Sequence, residues 1–422
     1  MGVVFFVGIF KAYDVRGIYP DEINEDNAYQ IALAFGGPNE SVVLGRDWRK
    51  GSEELYKAFL DGLMDAGSTV YALGDVPTPL VSFAVRVTGA SRGAMITASH
   101  NPPQYNGVKF FGPGGYSYTP EELRALEAKV PSAGTSEEDG YVIDIDIWEK
   151  YAAMLPNARN VRMAFDAGNG VGTKYINVFK RFFDVFAINT RKDPDFSARG
   201  PEPTEENVQT LVDIVRDKEC AFGLAVDGDG DRAFFVGRDG PLNPAFLFVL
   251  FGRWFLERGK NIFIATVDLS RRIEEYLPEA RIYRVRVGTS YIVEMAKKVG
   301  AHFSGEYSRH YAAYEFSGHS DPAFFSAVLT HFVPLDRWAH RFTFPPLLSK
   351  SIRVKDKNAA VQAVAAVAEQ VLSTVDGVEF MYKNHRVLVR PSNTEEKIRI
   401  YVEGDHAGKV LEELSKLVPN PV

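Results

Sequence analysis

Cysteine is nearly absent from this 422-residue sequence, which contains only Cys220. A single cysteine excludes a disulfide within the chain and favours a reducing compartment, so we expect a cytoplasmic protein. Long apolar runs are absent too, and none reaches the roughly 18 residues that a membrane span requires. The apolar opening, MGVVFFVGIF, lacks the basic segment and small-residue cleavage site of a secretory signal. We interpret it as a strand.

An excess of positive charge is also lacking. The 48 Lys and Arg are outnumbered by 55 Asp and Glu, the net charge is −7, and the basic residues are scattered. This balance argues against nucleic acid or an anionic membrane as the main partner and leaves small molecules. The chain is 45% hydrophobic and 24% charged, which is typical of a globular protein with large cores. Its length predicts two to four domains.

Strand-like runs that end in a polar or glycine turn recur through the first three quarters of the chain. They are residues 41–47, 162–169, 221–227 and 262–268. Alternation of such strands with helices predicts α/β layers with mixed, largely parallel sheets. The last 70 residues differ, because a helix near 358–372 precedes three antiparallel-looking strands and a helix near 406–417. This pattern predicts a smaller C-terminal α+β domain.

Composition and turn signals place domain boundaries near Asp144, near Gly240-Pro241 and near Leu348. Four domains result, with the first three as candidates for related repeats. Their predicted ranges are 1–144, 145–241, 242–348 and 349–422.

Three aspartates alternate with glycine in VDGDGDR, residues 226–232. Glycine allows backbone angles closed to other residues, so the loop can bring Asp227, Asp229 and Asp231 together. Their mutual repulsion is relieved by a hard cation, and all-oxygen ligation suits Mg²⁺ or Ca²⁺. A calcium EF-hand is excluded, because Arg232 and Arg238 stand where it needs Gly and Glu. The alternative is a polar turn at a strand end.

A hydroxyl and an imidazole stand side by side in ITASHNPPQYNG, residues 96–107. Two prolines, Pro102 and Pro103, restrict this loop, so Ser99 is either a positioned nucleophile or part of a plain turn. His100 follows Ser99 directly and is poorly placed as its base. With no acyl-transfer motif present, a serine hydrolase is not expected.

Two further segments carry polar groups suited to a sugar phosphate. RPSNTEEKIRI, residues 390–400, offers guanidinium groups and short donors for a phosphate, or else a hairpin turn. GEYSRH, residues 305–310, places alternate polar side chains on one face if it is extended, for sugar hydroxyls or for a solvated strand edge. A loop serine, a carboxylate-bound Mg²⁺ and a separate phosphate site together predict phosphoryl transfer through a phosphoenzyme.

These segments resemble the α-D-phosphohexomutase superfamily, specifically its phosphomannomutase/phosphoglucomutase branch. The resemblance covers essentially the whole chain and occurs in the family's order. It rests on FKAYDVRG (10–17), LGRDWR (44–49), TASHNPPQYNGVK (97–109), DAGNG (166–170), VDGDGDR (226–232), GEYSRH (305–310) and RPSNTEE (390–396).

The resemblance implies four domains around a central cleft: an active-serine, a metal-binding, a sugar-recognition and a phosphate-binding domain. It implies that Ser99 is a phosphoserine, and that one Mg²⁺ is held by Asp227, Asp229, Asp231 and an oxygen on Ser99. The other implied catalytic residues are Arg16, His100, Lys109 and His310. The implied substrate-binding residues are Tyr13, Arg232, Glu306, Ser308, Arg390, Ser392, Asn393, Thr394 and Arg399.

The implied reaction interconverts hexose 6-phosphate and hexose 1-phosphate of mannose or glucose through a 1,6-bisphosphate, which also serves as the activator. The implied assembly is a monomer or a small homo-oligomer. Lys109 is expected to have a lowered pKa, because burial or cationic neighbours disfavour its charge. The alternatives are a phosphoglucosamine mutase, which the NPPQYNG form of the serine loop disfavours, and a non-catalytic sugar-phosphate-binding relative.

Two residues depart from the family pattern. Arg309 stands where the family's sugar loop has a glycine, and Glu396 stands where the family usually has proline. Arg309 either points away from the cleft or adds a contact to the substrate phosphate. The alternation in GEYSRH favours the first, with Arg309 directed away from Glu306, Ser308 and His310.

Overall fold

The computed structural model describes residues 8–392 and 396–419. Most of the apolar opening and residues Asn393 and Thr394 lie outside this range. Of the opening, Phe10 forms an isolated antiparallel bridge with Val15. Among the helices of the described residues, none is long and apolar enough to span a membrane. Four successive sheets organise the chain, and the part that carries each sheet is called the first to fourth domain below.

The first domain has a six-stranded sheet in the order β1-β5-β4-β2-β3-β6, in which β5 runs antiparallel to both of its neighbours. Its strands are β1 (Val15–Ile18), β2 (Ser41–Arg46), β3 (Thr69–Asp75), β4 (Arg92–Ile96), β5 (Tyr105–Phe111) and β6 (Tyr141–Asp144). Its helices are α1 (Glu25–Phe35), α2 (Ser52–Asp65), α3 (Thr78–Thr88) and α4 (Pro120–Lys129). The central strand β2 is parallel to both neighbours and almost continuously buried, as expected between two helical layers.

The second domain has five strands in the order β11-β10-β9-β7-β8. Its elements are α5 (Trp148–Met154), β7 (Arg162–Asp166), α6 (Ile176–Phe182), β8 (Asp184–Ile188), α7 (Gln209–Asp217), β9 (Phe222–Ala225), β10 (Phe234–Gly237) and β11 (Gly240–Pro241). The first three strands in sequence, β7 to β9, are parallel, and β10 turns back antiparallel to β9.

The third domain repeats this plan with four strands in the order β13-β12-β14-β15. Its elements are α8 (Pro244–Leu256), β12 (Ile262–Thr266), α9 (Arg272–Tyr276), β13 (Arg281–Val285), α10 (Thr289–Val299), β14 (Phe303–Gly305), β15 (Tyr311–Ala313), α11 (Pro322–Leu329) and α12 (Asp336–Ala339). Again β12 to β14 are parallel and β15 is antiparallel. The mixed, largely parallel sheets predicted for the first three domains are confirmed.

The fourth domain has an antiparallel sheet in the order β16-β20-β19-β18-β17. Its elements are β16 (Leu347–Arg353), α13 (Lys357–Ala365), β17 (Gln370–Ser373), β18 (Val378–Tyr382), β19 (His385–Pro391), β20 (Lys397–Glu403) and α14 (Ala407–Ser415). The predicted α+β domain is confirmed, but the helix predicted to reach residue 372 ends at Ala365. Residues 370–373 form an edge strand instead, because pairing with β18 outweighs their local helical pattern.

One connection has the same form in all four domains and positions the polar motifs. A strand ends, a short loop follows, and the chain returns antiparallel beside that strand. We name these segments the serine loop (97–104), the acidic loop (226–233), the third loop (306–310) and the fourth loop (392–396). In the first three domains each loop leaves the carboxyl end of a parallel strand, the edge at which α/β sheets bind ligands.

The buried apolar core explains how these loops come together. The largest cluster includes side chains of α3, α5, α6, α8 and α11 and therefore crosses the first three domains. The fourth domain has its own core between its sheet, α13 and α14. The first three loops are thus fixed by one continuous core. The strands on either side of the fourth loop belong to a domain with its own core, which a small cluster of Val267, Leu388 and Tyr401 joins to the third domain.

Candidate active site

The serine loop holds Ser99 in an unusual backbone conformation. Its φ is +55°, in the left-handed region that non-glycine residues rarely adopt, and the residue is 2% exposed. The Ser99 N–H donates to Thr97 Oγ1 at 2.8 Å, and its hydroxyl donates to Asp227 Oδ2 at 2.9 Å. The hydroxyl of the first domain therefore faces the acidic loop of the second.

A buried arginine that sequence analysis assigned no role holds the serine loop in place. The Arg49 guanidinium donates to the carbonyl oxygens of Ser99 and Asn101 at 2.5 and 2.7 Å, and to those of Pro102 and Tyr105 at 3.0 and 3.3 Å. The planar fork of arginine suits such a set of carbonyls. The two prolines are thus only part of what fixes this loop. The motif LGRDWR (44–49) contains Arg49, but no local pattern in the sequence shows which residues the Arg49 side chain contacts.

The second domain packs against the serine loop and Arg49. The Phe196 ring lies 4.9 Å from the Arg49 guanidinium. Gly228 of the acidic loop approaches so closely that a Cβ there would lie 2.5 Å from the Ser99 carbonyl oxygen. Glycine at 228 is therefore needed for contact with the serine loop, a reason distinct from its backbone freedom.

The three aspartates of the acidic loop converge. One carboxylate oxygen from each of Asp227, Asp229 and Asp231 lies within 4.8 Å of the others, and all three residues are buried. Burial, followed by repulsion from Asp231 and Asp229, raises the pKa of Asp227 to about 7. Asp229 Oδ1 is buried with no hydrogen-bond partner among the described residues. A buried all-oxygen set with an unpartnered carboxylate oxygen fits a hard divalent cation.

Lys109 on β5 neutralises part of this charge. Its ammonium group lies 2.7 Å from Asp229 Oδ2 and 2.5 Å from Asp231 Oδ2. Burial lowers the Lys109 pKa, but attraction to the two carboxylates outweighs burial and leaves the pKa above its usual value. The expected lowered pKa is therefore wrong. Lys109 is a fixed positive charge here, because burial is accompanied by close counter-ions.

Two arginines, Arg16 and Arg232, add further positive charge, and His100 lies between Arg232 and the serine hydroxyl. Arg16 donates to Asn101 Oδ1 at 2.6 Å and is paired with Asp14 at 2.7 Å. Arg232 approaches His100 Nδ1 at 3.0 Å, and burial together with the Arg232 charge holds the His100 pKa well below its usual value. Because His100 Nδ1 faces this guanidinium and lies 3.4 Å from Ser99 Oγ, His100 is poorly aligned as a base for that hydroxyl.

The third loop is a tight turn. Alternate side chains on one face were expected only for an extended segment, so that reasoning does not apply here. Glu306 N–H donates to the His310 carbonyl at 3.0 Å. Glu306, Ser308 and His310 nevertheless gather, since the Ser308 hydroxyl lies 3.2 Å from Glu306 Oε2 and 2.9 Å from His310 Nδ1. His310 Nε2 lies 3.4 Å from Asp231 Oδ1, which joins this loop to the acidic loop.

Arg309 turns away from those three side chains. Its φ is +71°, its guanidinium lies 3.7 Å from the Phe234 ring centroid, and it donates to the Leu242 carbonyl at 3.0 Å. The residue is only 9% exposed.

The fourth domain presents two arginines side by side. Arg390 and Arg399 are partners across β19 and β20. Arg390 Nε donates to Asp376 Oδ2 at 2.6 Å, and Arg399 Nε is buried with no hydrogen-bond partner among the described residues. Ser392 N–H donates to the Lys397 carbonyl at 2.8 Å. Two adjacent guanidinium groups with one unpartnered N–H favour an anion.

Tyr13 of the first domain reaches the third. A Cβ placed at Gly288 would lie 3.7 Å from the Tyr13 hydroxyl. The structure therefore brings Ser99 and the acidic and third loops to one interdomain region, and it places Tyr13 against Gly288 of the third domain. The arginine pair lies on the fourth domain.

A serine hydroxyl against a buried acidic cluster, with fixed cations around it and four repeated loop connections, defines a phosphoryl-transfer enzyme of four domains. Comparison with known proteins gives the family. The matches are "Phosphoglucomutase/phosphomannomutase, alpha/beta/alpha domain I" at residues 7–137, domain II at 146–240, domain III at 243–331 and the C-terminal domain at 350–418. The chain belongs to the phosphoglucomutase/phosphomannomutase family, whose members are isomerases.

Individual relatives agree with this assignment. The chain is 30% identical to the probable phosphoglucosamine mutase of Methanosarcina acetivorans, over 97% of this chain and 98% of that protein. It is 32% identical to the phosphomannomutase/phosphoglucomutase of Pseudomonas syringae pv. tomato, over 92% and 89%. A family structure from Burkholderia thailandensis superposes with a TM-score of 0.86 at 26% identity, covering 97% of this chain and 96% of that one.

Proposed function

We propose that this enzyme interconverts hexose 6-phosphate and hexose 1-phosphate, with mannose or glucose as the sugar, through a phosphoserine at residue 99. The observation that carries the proposal is the Ser99 hydroxyl, 2.9 Å from Asp227 in a buried carboxylate cluster and held there by Arg49. A merely structural serine has no need of a left-handed backbone beside three carboxylates.

The reaction consists of two transfers. In the first, the bond between Ser99 Oγ and phosphorus breaks as a hydroxyl oxygen of the hexose monophosphate bonds to that phosphorus. The hydroxyl proton passes to a basic group, for which His310 is the candidate, and Ser99 Oγ takes up a proton as its bond to phosphorus breaks. The resulting 1,6-bisphosphate then reorients in the active site. Its other phosphoryl group is transferred to Ser99 Oγ by the reverse of the first step. Mg²⁺, held by the three aspartates and an oxygen on Ser99, would supply charge neutralisation when bound.

The other residues have supporting roles in this proposal. Lys109, Arg16 and Arg232 provide fixed positive charge for a transition state that needs position and charge more than covalent help. Tyr13, Glu306, Ser308 and His310 bind the sugar, and Arg390, Ser392, Asn393, Thr394 and Arg399 bind the phosphate that is not reacting. The fourth domain has its own core and meets the third through a small cluster of Val267, Leu388 and Tyr401, and we infer that it moves during turnover.

A phosphoglucosamine mutase is the second candidate. This candidate is favoured because the chain is 30% identical to the probable phosphoglucosamine mutase of M. acetivorans. Its identity to the phosphomannomutase/phosphoglucomutase of P. syringae is similar, at 32%. A non-catalytic binding protein is disfavoured, because Ser99 and all three aspartates are present and gathered.

The remaining sequence predictions belong to this proposal. We retain the domain ranges 1–144, 145–241, 242–348 and 349–422, a cytoplasmic location inferred from the single cysteine, and a monomer or small homo-oligomer. Hexose 1,6-bisphosphate is the proposed activator, because it can phosphorylate an enzyme that has lost its phosphate.

The experiment that tests the proposal is a coupled assay with mannose 1-phosphate, glucose 1-phosphate and glucosamine 1-phosphate in parallel. Dephosphorylated enzyme, checked by intact mass, should show a lag that glucose 1,6-bisphosphate abolishes. Ser99→Ala should be nearly inactive with or without the bisphosphate, whereas Ser132→Ala, at an exposed serine of the first domain, controls for loss of a serine hydroxyl elsewhere. Native turnover by Ser99→Ala would refute the phosphoserine, and preference for glucosamine 1-phosphate would select the second candidate.

A further inference from the structure

A second turn of the third domain also contacts the acidic loop. It consists of residues 317–321, between β15 and α11, and carries His319, which is 6% exposed. His319 Nε2 lies 2.9 Å from Asp231 Oδ2, and the Ser320 hydroxyl donates to the Asp231 backbone carbonyl at 2.6 Å. One aspartate is thus held at both its side chain and its backbone.

The hydrogen-bond partners of His319 define its tautomer. A carboxylate only accepts, so Nε2 carries the proton that is donated to Asp231. Nδ1 is then an acceptor, and it lies 3.0 Å from the Ser117 hydroxyl of the first domain. Ser117 therefore donates a hydrogen bond to His319, and His319 donates one to Asp231. This chain of two hydrogen bonds links the first, third and second domains.

The turn is anchored independently of Asp231. Gly318 N–H donates to Ser82 Oγ of the first domain at 3.1 Å. A Cβ at Gly318 would lie 2.4 Å from the backbone of Gly115, so the turn packs directly on that domain. Asp321 caps α11 through the Phe324 N–H at 2.9 Å. His319 is therefore presented to Asp231 by a rigid support.

Asp229 is held in a comparable way from another side. The Thr78 hydroxyl donates to Asp229 Oδ2 at 2.5 Å, and the Thr78 N–H donates to the Asp229 carbonyl at 2.9 Å. Thr78 begins α3 of the first domain. The carboxylates of the second domain are thus oriented by its two neighbours.

We propose that His319 is a positioning residue for the divalent cation, acting with Ser320 to fix the orientation of Asp231. This inference rests on the proposed cation at the acidic loop and goes beyond it, because it makes cation affinity depend on the docking of the third domain against the first two. Outer partners of metal-binding carboxylates act in this way, and their loss typically weakens metal affinity about 10- to 100-fold.

The test is direct titration of the full-length enzyme with Mn²⁺, followed by the loss of the free-ion EPR signal. His319→Phe keeps a ring against Phe111 but removes both hydrogen bonds, and we expect its Mn²⁺ Kd to rise about 10- to 100-fold. His319→Gln keeps a donor of similar reach and should stay within about fivefold of the native Kd. Activity of His319→Phe should recover at saturating Mn²⁺, which a general folding defect would not allow.

The controls separate this inference from the proposed function. His331→Phe, another third-domain histidine, should bind Mn²⁺ like the native enzyme. An unchanged Kd in His319→Phe, with native affinity abolished by Asp229→Asn, would overturn the positioning role and leave the cation site intact. Absence of Mn²⁺ binding by the native enzyme would overturn both. If His319→Phe fails to fold, Ser117→Ala replaces it, and an unchanged tautomer and Kd in that variant would count against the inference.

Discussion

Arg309 stands in the third loop where the family has glycine. Replacing it by glycine tests whether its side chain stabilises the fold or binds the substrate. The Arg309 guanidinium contacts Phe234 and the Leu242 carbonyl and lies 3.5 Å from Glu205, whose side chain is 69% exposed. None of these partners belongs to the proposed substrate-binding set. We therefore expect Arg309→Gly to alter stability much more than sugar preference.

The magnitude follows from the contacts. The cation–π contact contributes about 1 kcal/mol, and the charged hydrogen bond to a carbonyl about 2 kcal/mol. The pair with exposed Glu205 adds less than about 0.5 kcal/mol. Against this, glycine relieves about 1 kcal/mol of left-handed strain at φ +71°. The net expectation is a free energy of unfolding lower by about 2 kcal/mol, with Arg309→Ala about 1 kcal/mol lower again because alanine keeps the strain.

Urea unfolding of the native enzyme and both variants measures the stability change. Initial rates with mannose 1-phosphate and glucose 1-phosphate measure preference. The ratio of the two kcat/KM values should change by less than about tenfold, or roughly 1.4 kcal/mol. A larger switch in preference, or a glycine variant less stable than the alanine variant, would refute this account of Arg309.

Three other perturbations test the site and the fold. Arg49→Lys loses the fork that binds the serine loop carbonyls, so kcat should fall about 100-fold or more while far-UV circular dichroism is retained; kcat within a factor of three of native would contradict the clamp. Asp229→Asn should lose most activity and Mn²⁺ binding yet remain folded, and full turnover of chelator-treated native enzyme would disprove the cation site. Burial raises the pKa of the Cys220 thiol to about 11, so at pH 8 only about one thiol in a thousand is the reactive thiolate. Dithionitrobenzoate should therefore label Cys220 slowly in the folded enzyme, faster as the pH rises towards 11 and at once in urea, whereas complete labelling within seconds at pH 8 would exclude that shift.

Much of the candidate site could be predicted from local sequence, because its polar residues lie in short contiguous motifs. The spacing of three aspartates by glycines predicts their convergence, and the structure places one carboxylate oxygen of each within 4.8 Å of the others. Strand runs followed by polar turns predict the α/β class, since buried parallel strands and their terminal loops leave a local pattern. Three of the motifs lie in equivalent connections of the first three domains, and the described part of RPSNTEE follows β19 of the fourth.

Predictions from local sequence were wrong where strand pairing, or a charge from a distant part of the chain, decided the secondary structure or the pKa. Residues 370–373 continue a helical pattern but form a strand, because β18 supplies backbone partners at the sheet edge. The Lys109 pKa rises although burial alone lowers it, because two aspartates more than a hundred residues away contact its ammonium group.

The sequence alone thus determined which groups this protein offers to the proposed reaction, namely a serine, three carboxylates and several arginines, since these depend on residue type and on spacing of a few positions. Only the tertiary structure decided what holds them. Arg49 reaches carbonyls about fifty residues away, and His319 reaches Asp231 across 88. Such supports are single side chains whose partners are chosen by the packing of whole domains, and residue periodicity along the chain carries no information about that packing.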